Sequence, residues 1–366
     1  MRTREYGRYG LWLGAWLLVG WAVIGTTGWA TEATPEPTRL NPGTPEIAES
    51  DFGPVQGKGI YRIALLNPFP EHPFWQAVQT AIETRADEDA VVVDVFALEA
   101  PSAPAQIEQM EVVIANGYDG VILGAVDPVG IVPGVVAANE AGVPVVALDT
   151  APVGGQIVSL VGIDNVAASA AAGEFIAETI GGEGDVLNMQ GAMASSVAQE
   201  RDQGVRSAWE RYQGIDEGSV NARWDRGLAA GIVRGMLPAA ESATPAVEPG
   251  LRAIFAATDE MALGAAEAVG EAGPRGIVIV GFGGEPEALA AVASGALTAT
   301  IAQLPTRIGK IAVDVIVRHL NGDPVPTWVD PGFVVITKNN IEWFVAFAAT
   351  AQGPSSLDPA SPPAIP

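Results

Sequence analysis

Residues 251–304, LRAIFAATDEMALGAAEAVGEAGPRGIVIVGFGGEPEALAAVASGALTATIAQL, decide the fold. The short apolar run at 253–257 reads as a buried strand. Thr258 and Asp259 follow, residue types that satisfy free backbone N–H groups where a helix begins. Met261, Leu263, Ala265 and Val269 mark that helix, and Gly273 with Pro274 closes it. A second apolar strand at 277–280 runs into Gly281-Phe282-Gly283-Gly284. Strand, cap, helix and strand within this length make a crossover unit, whose sheet is parallel and covered on both faces. Ligands of such sheets bind beyond the carboxyl ends of the strands. Here those ends carry Thr258, Asp259, Gly283 and Glu285, and chemistry is expected there.

The same rhythm extends outward. Strands are predicted at 60–66, 91–96, 120–123 and 143–148, with helices from Trp75 and over 107–115 and 132–138 between them. After Ile163-Asp164 come a helix at 165–180 stopped by Gly181-Gly182, a strand at 185–189, a helix at 198–212 and a strand at 220–224. A helix at 228–237 follows, then a Pro/Glu/Ala-rich insertion at 238–250. The helix at 305–320 puts Ile308, Ile311, Val315 and Leu320 on its apolar side, and a last strand covers 333–337. The fold class is α/β, in doubly wound lobes.

The ends read differently. Arg2, Arg4 and Arg8 precede an uncharged run at 11–25, and Gly28-Trp29-Ala30 offers a cleavage site, the pattern of a secretory signal peptide. The competing reading is a retained anchor, because no charge falls between Tyr9 and Ala30. Residues 31–59, rich in Pro, Glu and Thr, read as a disordered tether, and 347–366 as a disordered tail.

Composition closes several doors. With 43 Asp+Glu against 19 Lys+Arg the net charge is −24. Such a chain gains no counterion release on nucleic acid or on an anionic membrane. It has no cysteine, so disulfides, thiol catalysis, thiolate metal sites and an N-terminal lipid anchor are absent. Two histidines, His72 and His319, leave little material for a metal site or a His-based triad, and no cofactor motif is present. The glycines at 181–184 stop a helix before a strand, the reverse of a dinucleotide fingerprint. No HExxH, Walker A or GxSxG occurs, so the chain is not read as an enzyme.

Three segments, IFAATDEMALGA, IVIVGFGG and LTATIAQLP, in that order and spacing, resemble the C-terminal lobe of the periplasmic sugar-binding proteins of ABC transporters, the ribose-binding group in particular. The resemblance runs from Tyr61 to about Lys338. It implies the type I periplasmic binding protein fold: two Rossmann-like lobes that the chain joins by three crossings and that close on a ligand by hinge motion. Carried over, the N-terminal lobe takes 60–163 plus 304–331 and the C-terminal lobe 164–303 plus 332–346. The helix after Gln303 then belongs to the first lobe, which periodicity alone does not reveal.

The resemblance also implies site residues. Glu71-His72-Pro73-Phe74-Trp75 is similar to the family's Asn-Pro-Phe-Phe segment, where an amide meets sugar hydroxyls and a ring stacks on the C–H face. His72, Phe74 and Trp75 are carried over on that basis, against the alternative that both rings only anchor the first helix. Asp149 matches a carboxylate that accepts from sugar hydroxyls, with Thr150 where the family has Arg. Arg201 matches an Arg with forked donors, with a surface ion pair of the Arg-Asp on its helix as the alternative. Trp224 occupies the position of a second stacking ring, or is plain core. Gln303 matches a hinge amide. Thr258 stands for a family Asn, Gly283 for an Asp, and Gly124-Ala125 for an amide-bearing residue. At roughly 1–3 kcal/mol for each unpaired hydroxyl buried, these departures point away from ribose, towards a deoxysugar, a polyol, a small aromatic or a bulkier ligand.

The leading function is therefore a secreted, periplasmic or extracellular solute-binding protein, monomeric, that delivers a sugar-like ligand to an ABC permease. The alternative is a sensory module presenting its closed form to a membrane receptor or histidine kinase.

Overall fold

The computed structural model describes residues 55–345, apart from 90, 194, 238–249, 272, 274, 275 and 343. All of them belong to one unit, Thr38–Pro366. The leader at 1–30, most of the tether, nearly all of the insertion at 238–250 and the tail lie outside the described residues, as does Pro274.

The first part of the chain alternates β1 (Arg62–Asn67), α1 (Pro73–Asp89), β2 (Val92–Ala97), α2 (Ala103–Ala115), β3 (Gly120–Gly124), α3 (Val132–Glu140), β4 (Val145–Leu148) and β5 (Ser159–Val161). The second continues with α4 (Asn165–Ile180), β6 (Glu183–Gln190), α5 (Ser196–Trp209), β7 (Gly214–Asn221), α6 (Arg226–Met236) and β8 (Leu251–Ala256). Then come α7 (Asp259–Glu271), β9 (Val278–Gly283), α8 (Pro286–Ser294), β10 (Ala299–Gln303), α9 (Pro305–Leu320), β11 (Trp328–Val329) and β12 (Phe333–Thr337).

These strands form two six-stranded sheets, ordered β11-β5-β4-β3-β1-β2 and β12-β10-β9-β8-β6-β7. Every neighbouring pair is parallel except β12 with β10. The sheets are α/β with helices between their strands. Every residue of the central strands β3, β4, β9 and β10 is buried, as befits sheets covered on both faces.

The chain changes sheet three times, between β5 and α4, between β10 and α9, and between β11 and β12. The last passage is only the three residues between Val329 and Phe333. No helix fits in it, so β12 enters the second sheet running backwards, the single departure from the parallel pattern expected. α9 leaves the second sheet and packs along α1, with Ile308, Ile311 and Val315 fully buried in the core beneath the first sheet. Leu320 is only half-buried at the helix end.

Two sequence expectations need correction. The strand placed at 220–224 is β7, Gly214–Asn221; Ala222 to Trp224 lie beyond it. Its sequence, GIDEGSVN, lacks an apolar run because β7 is an edge strand, half-exposed on both faces. Asp259 does not cap α7. Thr258 does, accepting from the Met261 N–H at 3.4 Å, whereas the Asp259 carboxylate turns inward.

One charged cluster lies in the α1–α9 interface. The Arg85 guanidinium donates through Nε (2.8 Å) and Nη2 (2.7 Å) to Asp314 Oδ1 and through Nη1 to Glu88 (3.0 Å). Asp89, fully enclosed, is 3.3 Å from Arg85 Nε. Burial raises both aspartates, Asp314 to about 7. Arg85 and Arg318 both oppose this shift, and burial outweighs them.

Candidate functional site

The carboxyl ends of both sheets face one cleft. On the first lobe's side, the loop after β1 leads into α1 and presents His72, Phe74 and Trp75. Phe74 and Trp75 meet edge to face, ring centroids 5.4 Å apart. Trp75 is 7% exposed and belongs to the first lobe's core. Its indole lies over Gly124 at the end of β3, where an added Cβ would come 2.6 Å from the ring. The glycine at 124, read as a lost hydrogen-bonding group, is thus the space that the larger ring fills. Asp149 follows β4 with a left-handed φ of 61°, a conformation that non-glycine residues keep where the surroundings impose it. Thr150 Oγ1 donates to Asp149 Oδ2 (3.3 Å). Burial pushes the Asp149 carboxyl up, and Arg201 is the charge that most opposes this.

The second lobe's side is built around Arg201, on α5 and 4% exposed. Its Nε donates to Asn165 Oδ1 (2.9 Å) and its Nη1 to the Ala257 carbonyl (2.8 Å). The guanidinium lies 3.7 Å above the Phe282 ring centroid, a cation–π contact. Nη2 has no acceptor among the described residues. Burial lowers this arginine to about 10, against the pull of Asp149, Glu200 and Asp259. The alternative of a surface ion pair does not form; the neighbouring Asp202 pairs with Arg206 instead.

Trp224 stands past β7 with φ 67°. Asn221 Oδ1 accepts from Arg223 N (3.0 Å) and Ala222 O accepts from Asp225 N (2.9 Å), which fixes the turn. The indole packs half-buried against the second lobe's core and over Gly191, where any Cβ would collide with it. Thr258 is half-buried at the head of α7. Gln303 ends β10 at a sheet crossing, 9% exposed, and its Oε1 is buried without a hydrogen-bond partner. Such an atom costs free energy unless something donates to it.

Gly283 is explained by a residue the sequence placed elsewhere. Asp259 is fully buried beside it and accepts from Thr300 Oγ1 (2.6 Å) and Glu285 N (2.9 Å). A Cβ on Gly283 would come 2.8 Å from Asp259 Oδ2, on a backbone with φ 152°. Burial raises Asp259 to about 7. Across the cleft mouth, His72 Nε2 approaches Glu285 Oε1 at 3.4 Å. Beside this contact a hollow of 610 Å³ opens between the lobes, lined by Phe69, Leu98, Glu99, Glu260, Glu285 and Glu287 among others.

The carried-over residues thus fall into two groups. Asp149, Thr150, Trp224, Thr258 and Gln303 stand at or just past the carboxyl ends of strands and Arg201 in the second turn of α5; none of the six lines the 610 Å³ hollow. Trp75 is mostly enclosed, Phe74 packs half-buried against the first lobe's core, and both ring nitrogens of His72 face protein, Nδ1 accepting from Phe74 N (3.2 Å) and Nε2 lying 3.4 Å from Glu285. Sequence reasoning missed Phe282 and Asn165 as the seat of Arg201, and the reach of Glu285. Phe282 lies inside the quoted GFGG, but nothing in a one-dimensional pattern pairs it with a residue 81 positions earlier.

Comparison with known proteins agrees with this architecture. Residues 63–324 match the family model described as periplasmic binding protein domain. The ribose import binding protein of Salmonella typhimurium is 31% identical over 264 residues, 72% of this chain and 86% of that protein. The D-allose-binding periplasmic protein of Escherichia coli is 31% identical over 279 residues, covering 72% and 86%. A crystal structure of a periplasmic solute-binding protein of an ABC transporter from Actinobacillus succinogenes, with bound D-allose, superposes with a TM-score of 0.70 at 26% identity. It covers 77% of this chain and 99% of that one. The chain belongs to the periplasmic binding protein family.

Proposed function

We propose that the protein is the periplasmic solute-binding component of an ABC import system, closing its two lobes on a small neutral polyhydroxylated ligand, a sugar or a polyol. One observation carries this reading. A buried guanidinium bonds only to neutral acceptors, keeps Nη2 unengaged, and is electrically coupled to a carboxyl on the other lobe. A ligand between them that accepts from Arg201 and donates to Asp149 would satisfy both groups, as vicinal hydroxyls can. Their charges balance, which favours a neutral ligand. The unpartnered Gln303 Oε1 offers a further acceptor for a hydroxyl, and Trp224 a ring for a C–H face.

The ligand class narrows further on the two glycines. The spaces at 124 and 283 are taken by Trp75 and Asp259, so the cleft has fewer hydroxyl partners than the resemblance implies. A polyol or a deoxysugar fits that better than ribose. The relatives it matches are named as binding proteins, and binding rather than catalysis is the activity assigned. The test is a thermal-shift and tryptophan-fluorescence screen of sugars, polyols and nucleosides. At a hundredfold excess over Kd the ligand adds about 2.7 kcal/mol of stability. A screen in which no carbohydrate or polyol saturates would overturn the reading.

A further inference from the structure

The cleft is bridged at its mouth by two residues from different lobes. His72 lies in the loop between β1 and α1, and Glu285 immediately precedes α8. Hydrogen-bonding geometry fixes which tautomer of the imidazole makes the contact. His72 Nδ1 accepts from the Phe74 N–H, so it carries no hydrogen, and the neutral ring must hold its proton on Nε2, the atom 3.4 Å from Glu285 Oε1. Burial favours the neutral ring. The contact is therefore a close polar approach of the Nε2–H edge to a carboxyl oxygen, short of a well-aligned hydrogen bond, and it needs no protonated histidine.

Glu285 is held for this role from behind. Its backbone N–H donates to Asp259 Oδ2 (2.9 Å), and Asp259 is itself fixed by Thr300 Oγ1 (2.6 Å). The acidic neighbours on its own lobe are engaged elsewhere: Glu287 and Glu260 pair with Arg226 at 2.7 and 3.7 Å. With a side chain only 14% exposed, Glu285 has the His72 imidazole as its one basic side chain in contact range among the described residues. They sit on different lobes, so parting of the lobes would break the contact.

We infer that His72 and Glu285 form an interlobe latch that holds the closed, ligand-bound form, with Glu285 a positioning residue that does not touch the ligand. This rests on the binding function proposed above. A contact made after closure slows opening and leaves the encounter with ligand unchanged.

The measurement is stopped-flow tryptophan fluorescence with D-allose, D-ribose, xylitol and myo-inositol as probes. For any probe that saturates the wild type, Glu285→Ala should raise the dissociation rate about tenfold with the association rate within about twofold. Glu285→Gln, which keeps an acceptor oxygen, should raise it less. In a His72→Asn background Glu285→Ala should add nothing. Equal changes in both rates, or additive effects in the double variant, would overturn the latch. Should no probe bind, the functional reading fails, and the latch is then decided by nitrogen-15 spectra of the two histidines. Glu285→Ala should shift the His72 Nε2 resonance and leave His319 in place; an unmoved His72 overturns it.

Discussion

Among the described residues two arginines are enclosed, Arg85 and Arg201, and they are enclosed in opposite ways. Arg85, between α1 and α9, is wrapped by Asp314, Glu88 and Asp89, so its charge is neutralised by its own lobe. Arg201, on the cleft, bonds to an amide and a carbonyl and rests on an aromatic face, with no carboxylate in hydrogen-bonding range. A buried charge is tolerated when paired within the fold. One left with neutral partners and an unengaged nitrogen is a charge kept for something else. The contrast supports the proposed binding role of Arg201 beside the structural one of Arg85, without reference to any relative.

The comparison breaks most visibly on paired substitutions. Arg85→Ala should cost about 3–5 kcal/mol of stability, read by chemical denaturation, while affinity for a responding sugar or polyol stays within about twofold. Arg201→Ala should do the reverse, weakening binding about a hundredfold through the loss of charged hydrogen bonds, measured by calorimetry. If Arg201→Ala leaves affinity intact, the distinction drawn here is wrong.

A smaller effect tests the filled spaces. Gly124→Asn inserts a side chain where Trp75 lies and should destabilise by about 1–3 kcal/mol. Adding Trp75→Phe should recover part of that loss in the thermal midpoint. Independent, additive losses would mean that ring and glycine do not share one space.

The smallest expected effect is in pH. Asp314 is raised by burial to about 7, above the ordinary carboxylate range, and Asp89 is raised with it. A carboxyl raised in the folded state binds its proton more tightly there than in the unfolded chain. Its contribution is full at acidic pH and is lost as pH climbs from the ordinary carboxylate range to about 7. The unfolding free energy should therefore be larger near pH 5 than near pH 8, by on the order of 1–2 kcal/mol, and the thermal midpoint correspondingly higher. Asp314→Asn should make the fall shallower, leaving the share of Asp259 and Glu285, which burial also raises to about 7; an unchanged slope in that variant would contradict the raised Asp314 carboxyl.

How much of this was legible beforehand follows from range. The central strands were readable because full burial makes them continuous apolar runs, and the helix at 305–320 because its apolar side repeats every turn. β7 was misplaced because an edge strand lacks that signal. β5 and β11, at three and two residues, are too short to carry a pattern at all. The resemblance singled out Arg201, Asp149 and Gln303 by position. It treated Gly124 and Gly283 as subtractions, because sequence order does not tell which distant side chain has moved into the vacated volume.

By itself, then, the sequence determined the α/β class, the alternation of strand and helix, and the strand ends where polar residues gather, because these follow from local periodicity and backbone capping. Tertiary structure alone decided which sheet each helix joins, that β12 runs antiparallel, that Phe282 seats Arg201, and that Glu285 meets His72. Those are contacts between residues tens to hundreds of positions apart, and only the packed chain brings them within hydrogen-bonding or van der Waals distance.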